Sequence, residues 1–136
     1  MAVLSFLLLL ALTDAATGLF RGQYIYYNTP LSWTDAQTKC TSNSGNLAII
    51  DTQWKFDSFV NQTISQNAGD SWIGLTKKPS EPAFTQWSDG TVLNFTKWKD
   101  GQPDNLDTKH CVFTSNHDTS KSNVKPIKMY LHRIHL

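Results

Sequence analysis

Near residue 66 the apolar periodicity of this chain changes from helical to strand-like, and that switch restricts its architecture most. Ahead of it, Trp33, Ala36 and Cys40 recur at i, i+3 and i+7, one apolar stripe of a short helix. Ser32 with Asp35 three residues on is a capping pair at its start, and residues 43–45 can end it. Residues 52–66 form a second helix, with Phe56, Phe59, Val60 and Ile64 along one face. Asn67-Ala68-Gly69-Asp70 is turn chemistry. Beyond it lie short strand-like runs at residues 72–76, 84–87, 92–95 and 111–114, with Ser88-Asp89-Gly90-Thr91 as a hairpin turn. Residues 24–28 add a strand before the helices and residues 47–50 a short buried strand between them. Strand, two helices, then strands is an α+β order.

One domain suits a length of 136 residues, and no repeat or low-complexity linker divides it. A 17% charged fraction rules out disorder by charge excess, and a net charge of +1 lacks the electrostatic footprint of a nucleic-acid binder. Five Trp imply a core built on large rings, with Trp33, Trp54, Trp72, Trp87 and Trp98 read as core. Two Cys exclude a Cys₄ zinc site and a dense disulfide scaffold. An enzyme is not expected. No Gly-x-Ser-x-Gly elbow or phosphate loop occurs, and Glu81 is the single Glu. Cys111 follows His110, but neighbours on a strand face opposite sides.

Residues 3–12 form an apolar run of about ten, the length of a leader's hydrophobic region and too short for a membrane helix. Ala15, Ala16 and Gly18 offer small residues for cleavage, so residues 1–17 read as a signal peptide. The alternative is a buried N-terminal helix. No other stretch is apolar enough to anchor the chain, which is expected to be secreted and without a transmembrane anchor. Asn61-Gln62-Thr63 and Asn94-Phe95-Thr96 are glycosylation sequons in keeping with that route.

Four landmarks in order resemble the C-type lectin-like domains. They are the helix Trp33-Thr34-Asp35-Ala36-Gln37-Thr38-Lys39-Cys40, the strand Trp72-Ile73-Gly74-Leu75, the run Trp87-Ser88-Asp89-Gly90-Thr91, and Trp98 leading into Gly101-Gln102-Pro103-Asp104-Asn105. Cys111-Val112 follows as the next cysteine-bearing strand would. The resemblance implies two helices and short antiparallel strands over residues 24–114, with the C-terminal part of the fold incomplete. Residues 115–136 then read as an atypical basic tail, as a frame change or alternative exon would produce.

The same resemblance implies a calcium and carbohydrate site at Gln102, Asp104 and Asn105, with Pro103 cis and with Gln102 and Asp104 as metal ligands. Gln-x-Asp is the galactose-type order. Physically, the Gly-Gln-Pro-Asp-Asn run is also a plain surface turn. Calcium requires six to eight oxygen ligands, and here the resemblance implies loss. Lys109 stands where the family has a Glu, no Trp-Asn-Asp segment follows Val112, and Leu106 replaces a sugar-stacking ring. It also implies no disulfide, because Cys40 and Cys111 both lack their family partners. Met129 and the residues after it could pair with residues 24–28 as a substitute terminal strand. His132 and His135, three apart, read as solvated tail rather than as metal ligands on a helix.

The function implied is a secreted carbohydrate-binding protein for a glycan or glycoprotein, galactose-type by ancestry, with calcium-dependent binding weakened or lost. A calcium-independent protein-interaction domain, or a truncated product without a binding role, are the alternatives.

Overall fold

The computed structural model describes residues 4–13, 20–115 and 128–132. Along the chain run β1 (Leu4–Thr13), β2 (Phe20–Leu31), α1 (Trp33–Ser42), β3 (Asn46–Leu47), α2 (Gln53–Ser65), β4 (Ser71–Thr76), β5 (Cys111–Ser115) and β6 (Lys128–His132). One six-stranded sheet joins all the strands in the order β2-β1-β4-β5-β6, with β3 paired to β1. The class is α+β. The sheet is mixed, however, because β1 runs parallel to β4 while its other pairings are antiparallel.

Both helix starts follow from local chemistry. Ser32 Oγ accepts the Asp35 amide at 3.1 Å and donates to the Asp35 carboxylate at 2.7 Å, closing the capping pair on itself. Thr52 Oγ1 accepts from the Lys55 amide at the start of α2. Asn43 ends α1, and Ser44 after it takes φ 60°.

The sheet is buried on both faces, so alternate residues of a strand enter different clusters. Ile73, Leu75 and Val112 join Leu7, Tyr24, Ile49, Ile50, Phe59 and Trp87 on the α2 side. Trp72 and Cys111 join Ala36, Cys40 and Leu47 on the α1 side. Indole donors are tied to backbone, Trp33 Nε1 to Ile73 O at 2.8 Å and Trp72 Nε1 to Leu31 O at 2.9 Å.

β2 is an edge strand, and α2 covers that edge with two glutamines one turn apart. Gln62 Oε1 accepts the Tyr24 amide and Gln66 Oε1 the Tyr26 amide, each at 2.8 Å, while Gln66 Nε2 donates to Tyr24 O at 2.7 Å. These side chains make the bonds a neighbouring strand would make, which blocks pairing with another chain.

Several expectations change. Leu4–Thr13, within the segment read as a leader and alternatively as a buried helix, is a strand, β1, which lies between β2 and β4 with Leu7 fully buried. Residues 1–3 and 14–17 of that segment lie outside the described residues. Residues 24–28 therefore pair with β1, and the tail strand pairs instead with β5 over five residues, from Cys111↔His132 to Ser115↔Lys128. β6 thereby covers the outer edge of β5. His132 accordingly lies on a strand, and His135 lies outside the described residues. Residues 84–87 and 92–95 make only the isolated bridges Leu75↔Trp87 and Gln86↔Val92, although Ser88–Thr91 does reverse the chain, with the Trp87 amide on Thr91 O at 2.8 Å. Of residues 47–50, only Leu47 lies in a strand, though all four are buried. Ile64 and Trp54 are exposed at 53% and 50%, and Thr63 takes the buried place on α2, its hydroxyl donating to Phe59 O at 2.8 Å.

Gly74 sits where β4 touches the loop on each side. A Cβ there would lie 2.6 Å from Ile49 Cδ1, 2.8 Å from Ser88 Oγ and 2.9 Å from Leu47 O. The last contact is backbone and cannot swing away. Gly74→Ala should therefore lower stability by about 1–3 kcal/mol, the usual cost of overpacking, read as a reduced urea midpoint with unchanged slope.

Cys40 and Cys111 are free, buried thiols in the α1-side cluster. Burial pushes both up to about 12, with a Thr76 contact pulling Cys111 slightly back. Because the thiolate is the reactive form, iodoacetamide at neutral pH should label neither until the protein unfolds. Rapid alkylation of the native chain would contradict this packing.

Candidate functional site

The segment between β4 and β5 carries the loop singled out in the sequence. Aromatic contacts fix its base: Phe84 lies 5.8 Å from Trp98 and Phe56 lies 6.3 Å from Phe95, ring centre to ring centre. Leu106 is partly buried against the α2-side cluster and anchors the far end of the loop. Gly101 takes φ +82°, a region that favours glycine, and the Gln102 amide closes the turn onto Lys99 O at 2.9 Å. The Gln102–Pro103 bond is cis. Asn105 takes φ +52°, and its carbonyl accepts the amides of Thr108 and Lys109, each at 3.0 Å.

This path brings three side chains together around the Asp104 carboxylate. Lys109 Nζ donates to Asp104 Oδ1 at 2.8 Å, and Asn105 Nδ2 donates to Asp104 Oδ2 at 2.7 Å. Gln102 also hydrogen-bonds the carboxylate. Gln102, Asp104 and Asn105 are thus adjacent in space. Lys109, read in the sequence only as a cation in a Glu position, is the residue that organises them. No periodicity links residues 104 and 109, so sequence spacing alone could not reveal the pair.

Calcium fits this donor set poorly. The carboxylate spends both oxygens on internal donors, one of them an ammonium that already provides the positive charge. A divalent ion would meet Lys109 as a like charge, and it needs more hard oxygens than Gln102, Asp104 and Asn105 present. Among the described residues, no group of three or more His, Cys, Asp or Glu could hold a metal ion.

The Lys109 hydrogen bond, aided by those from Gln102 and Asn105, holds the Asp104 carboxyl below its ordinary range, with partial burial opposing. A lowered pKa means that the ion pair is present above the usual carboxylate range and is lost as pH falls through the lowered value. An NMR titration of the Asp104 side chain should show that low midpoint, and Lys109→Met should move it upward. An unmoved midpoint would show that the ammonium does not set it.

Elsewhere on the surface, Asn61 and Asn94 are exposed, the first on α2 and the second after Val92. Among the described residues, no helix is long and apolar enough to cross a membrane.

Comparison with known proteins shows the relationship directly. The family model described as the lectin C-type domain matches residues 29–127, reaching beyond Val112 into the tail. A type-2 ice-structuring protein of Hemitripterus americanus is 40% identical over 89 residues, covering 65% of this chain and 52% of that protein. The galactose-specific lectin nattectin of Thalassophryne nattereri is 30% identical over 96 residues, covering 68% of this chain and 59% of nattectin. The chain thus spans little more than half the length of these two curated relatives. Among solved structures, the C-type lectin CEL-I from Cucumaria echinata superposes with a TM-score of 0.60 at 26% identity, covering 79% of this chain and 78% of CEL-I. With the fold, the cis Gln102–Pro103 loop and a family match over most of the chain in agreement, this protein belongs to the C-type lectin domain family.

Proposed function

We propose that this chain is an extracellular lectin-like binding protein whose Gln102–Asn105 loop takes a glycan of galactose type without a calcium ion. The observation that carries this reading is the Asp104–Lys109 pair, at 2.8 Å. An ammonium inside the loop balances the carboxylate and leaves a compact set of donors and acceptors for sugar hydroxyls. Hydroxyl groups suit such a set because they donate and accept at once. The name of nattectin supports the sugar class, and the Gln102-Pro103-Asp104 order supports the galactose type. The two exposed sequon asparagines support the extracellular route; a gel shift on glycosidase treatment tests it.

Retention on immobilised galactose, with and without chelator, tests the main reading. Retention insensitive to chelator and lost in Asp104→Ala is expected. Chelator-sensitive retention would restore calcium to the mechanism. Absence of retention, together with capture of a protein ligand, would favour the protein-interaction reading.

A second reading rests on a specific observation: identity to the ice-structuring relative, at 40%, exceeds the 30% identity to nattectin. Under this reading the surface arrests ice growth instead of holding a sugar. A thermal-hysteresis measurement on the purified chain decides it, because a sugar binder lowers the freezing point only colligatively.

A further inference from the structure

Away from the loop, a cleft of about 430 Å³ opens between α1 and the segment following β4. Trp33, Gln37, Lys77, Glu81, Gln86 and Trp87 contribute to its walls, and none belongs to the Gln102–Asn105 loop. The volume falls in the range of sites for small molecules, roughly 300–1,000 Å³.

The unusual feature of its wall is Lys77, a lysine only 5% exposed. Its Nζ donates to Glu81 O at 2.7 Å and, more weakly, to Lys78 O at 3.4 Å. Both acceptors are neutral carbonyls, and among the described residues no ion pair joins Lys77 to a carboxylate. The nearby Glu81 carboxylate is turned to the Lys78 amide, which Oε2 accepts at 3.0 Å. Buried charges are normally paired, because desolvating an ammonium is expensive. An ammonium has three donors, and here two of them are used.

Two buried polar atoms of residues beside the cleft lack hydrogen-bond partners. Trp87 Nε1 and Ser88 Oγ are shielded from solvent and make no hydrogen bond. Trp87 itself is 1% exposed. Unsatisfied buried polar groups are rare and call for a partner. At Lys77 the unmet demand is for a negatively charged acceptor. Trp33, half-buried with its ring pinned by the Nε1 bond to Ile73 O, adds a flat apolar wall.

We propose that this cleft is a binding site for a small ring-bearing carboxylate. The ligand's carboxylate pairs with Lys77, while its ring lies along Trp33. Such a ligand supplies the counter-charge that Lys77 lacks, which a neutral sugar cannot do. This proposal does not depend on the loop's binding a glycan.

The test uses the full chain and follows its indole N–H resonances by NMR, with Trp87 assigned through Trp87→Phe. Galacturonate and benzoate are the two carboxylate probes, one a sugar acid and one an aromatic acid, and galactose is the neutral control. A saturable shift of the Trp87 resonance with either acid, absent with galactose, supports the site, and the tighter acid identifies the ring type. Lys77→Met should weaken that binding at least tenfold. Because removing a buried lysine can disturb folding, exposed Gln86→Glu serves as the second variant. It places a like charge at the cleft and should weaken binding several-fold with the spectrum otherwise native. Asp104→Ala should leave this response unchanged, which keeps the site distinct from the loop. No saturable shift with either acid, an equal response to galactose, or undiminished binding in Gln86→Glu would overturn the proposal.

Discussion

Deleting residues 1–17 is expected to abolish cooperative unfolding. β1 lies between β2 and β4 and pairs with β2 at nine positions, from Leu4↔Leu31 to Thr13↔Phe20. It also pairs with β3 and β4, and it carries the fully buried Leu7. A net contribution near 1 kcal/mol per ladder hydrogen bond, with about 1.5–3 kcal/mol for Leu7, rivals the roughly 5–15 kcal/mol that stabilises a whole domain. Without β1, β2 and β4 would each face a strand-wide gap of unpaired backbone, and self-association is the expected consequence. Thermal melts by circular dichroism with size-exclusion chromatography compare the full chain with residues 18–136. A monomeric, cooperatively melting 18–136 would show that the gap closes without β1. That result matters for the extracellular reading, because leader removal and this sheet make competing use of the same ten residues.

The second large effect concerns Lys109. We expect the wild-type chain to give no saturable calcium heat in calorimetry and Lys109→Glu to give one, a gain of at least tenfold in affinity. The substitution removes the ammonium that occupies Asp104 Oδ1 at 2.8 Å and replaces it with two carboxylate oxygens. Ligand charge and oxygen number are what tune calcium affinity. Adding Asp104→Ala to Lys109→Glu should abolish the new heat. Stoichiometric calcium uptake by the wild type would show that the ammonium yields to the ion, and the calcium-free reading of the loop would fail with it.

How much could be read in advance depended on whether a feature was local. Both helices lie within a residue or two of their expected limits, because the caps at Ser32 and Thr52 and the apolar spacing are properties of neighbouring residues. Even there, tertiary context reassigned one face: Ile64 points outward and Thr63 inward, where its hydroxyl is satisfied by the helix's own carbonyl. The hairpin expected at residues 84–95 keeps its turn and loses its ladder. Phe84 and Phe95 instead pack with Trp98 and Phe56, so the segment is held by rings and not by backbone pairing.

By itself, the sequence determined the α+β order, the two capped helices, the aromatic core and the place of the Gln102–Asn105 loop. Each depends on short-range spacing and on residue chemistry that any fold must accommodate. Only the tertiary structure decided that Leu4–Thr13 lies between β2 and β4, that residues 128–132 cover β5, and that Lys109 closes on Asp104. It alone also placed the buried Lys77, held by backbone carbonyls, beside its cleft. Strand pairing and charge pairing join residues far apart or irregularly spaced, and what selects them is the competition among all available partners in the folded chain.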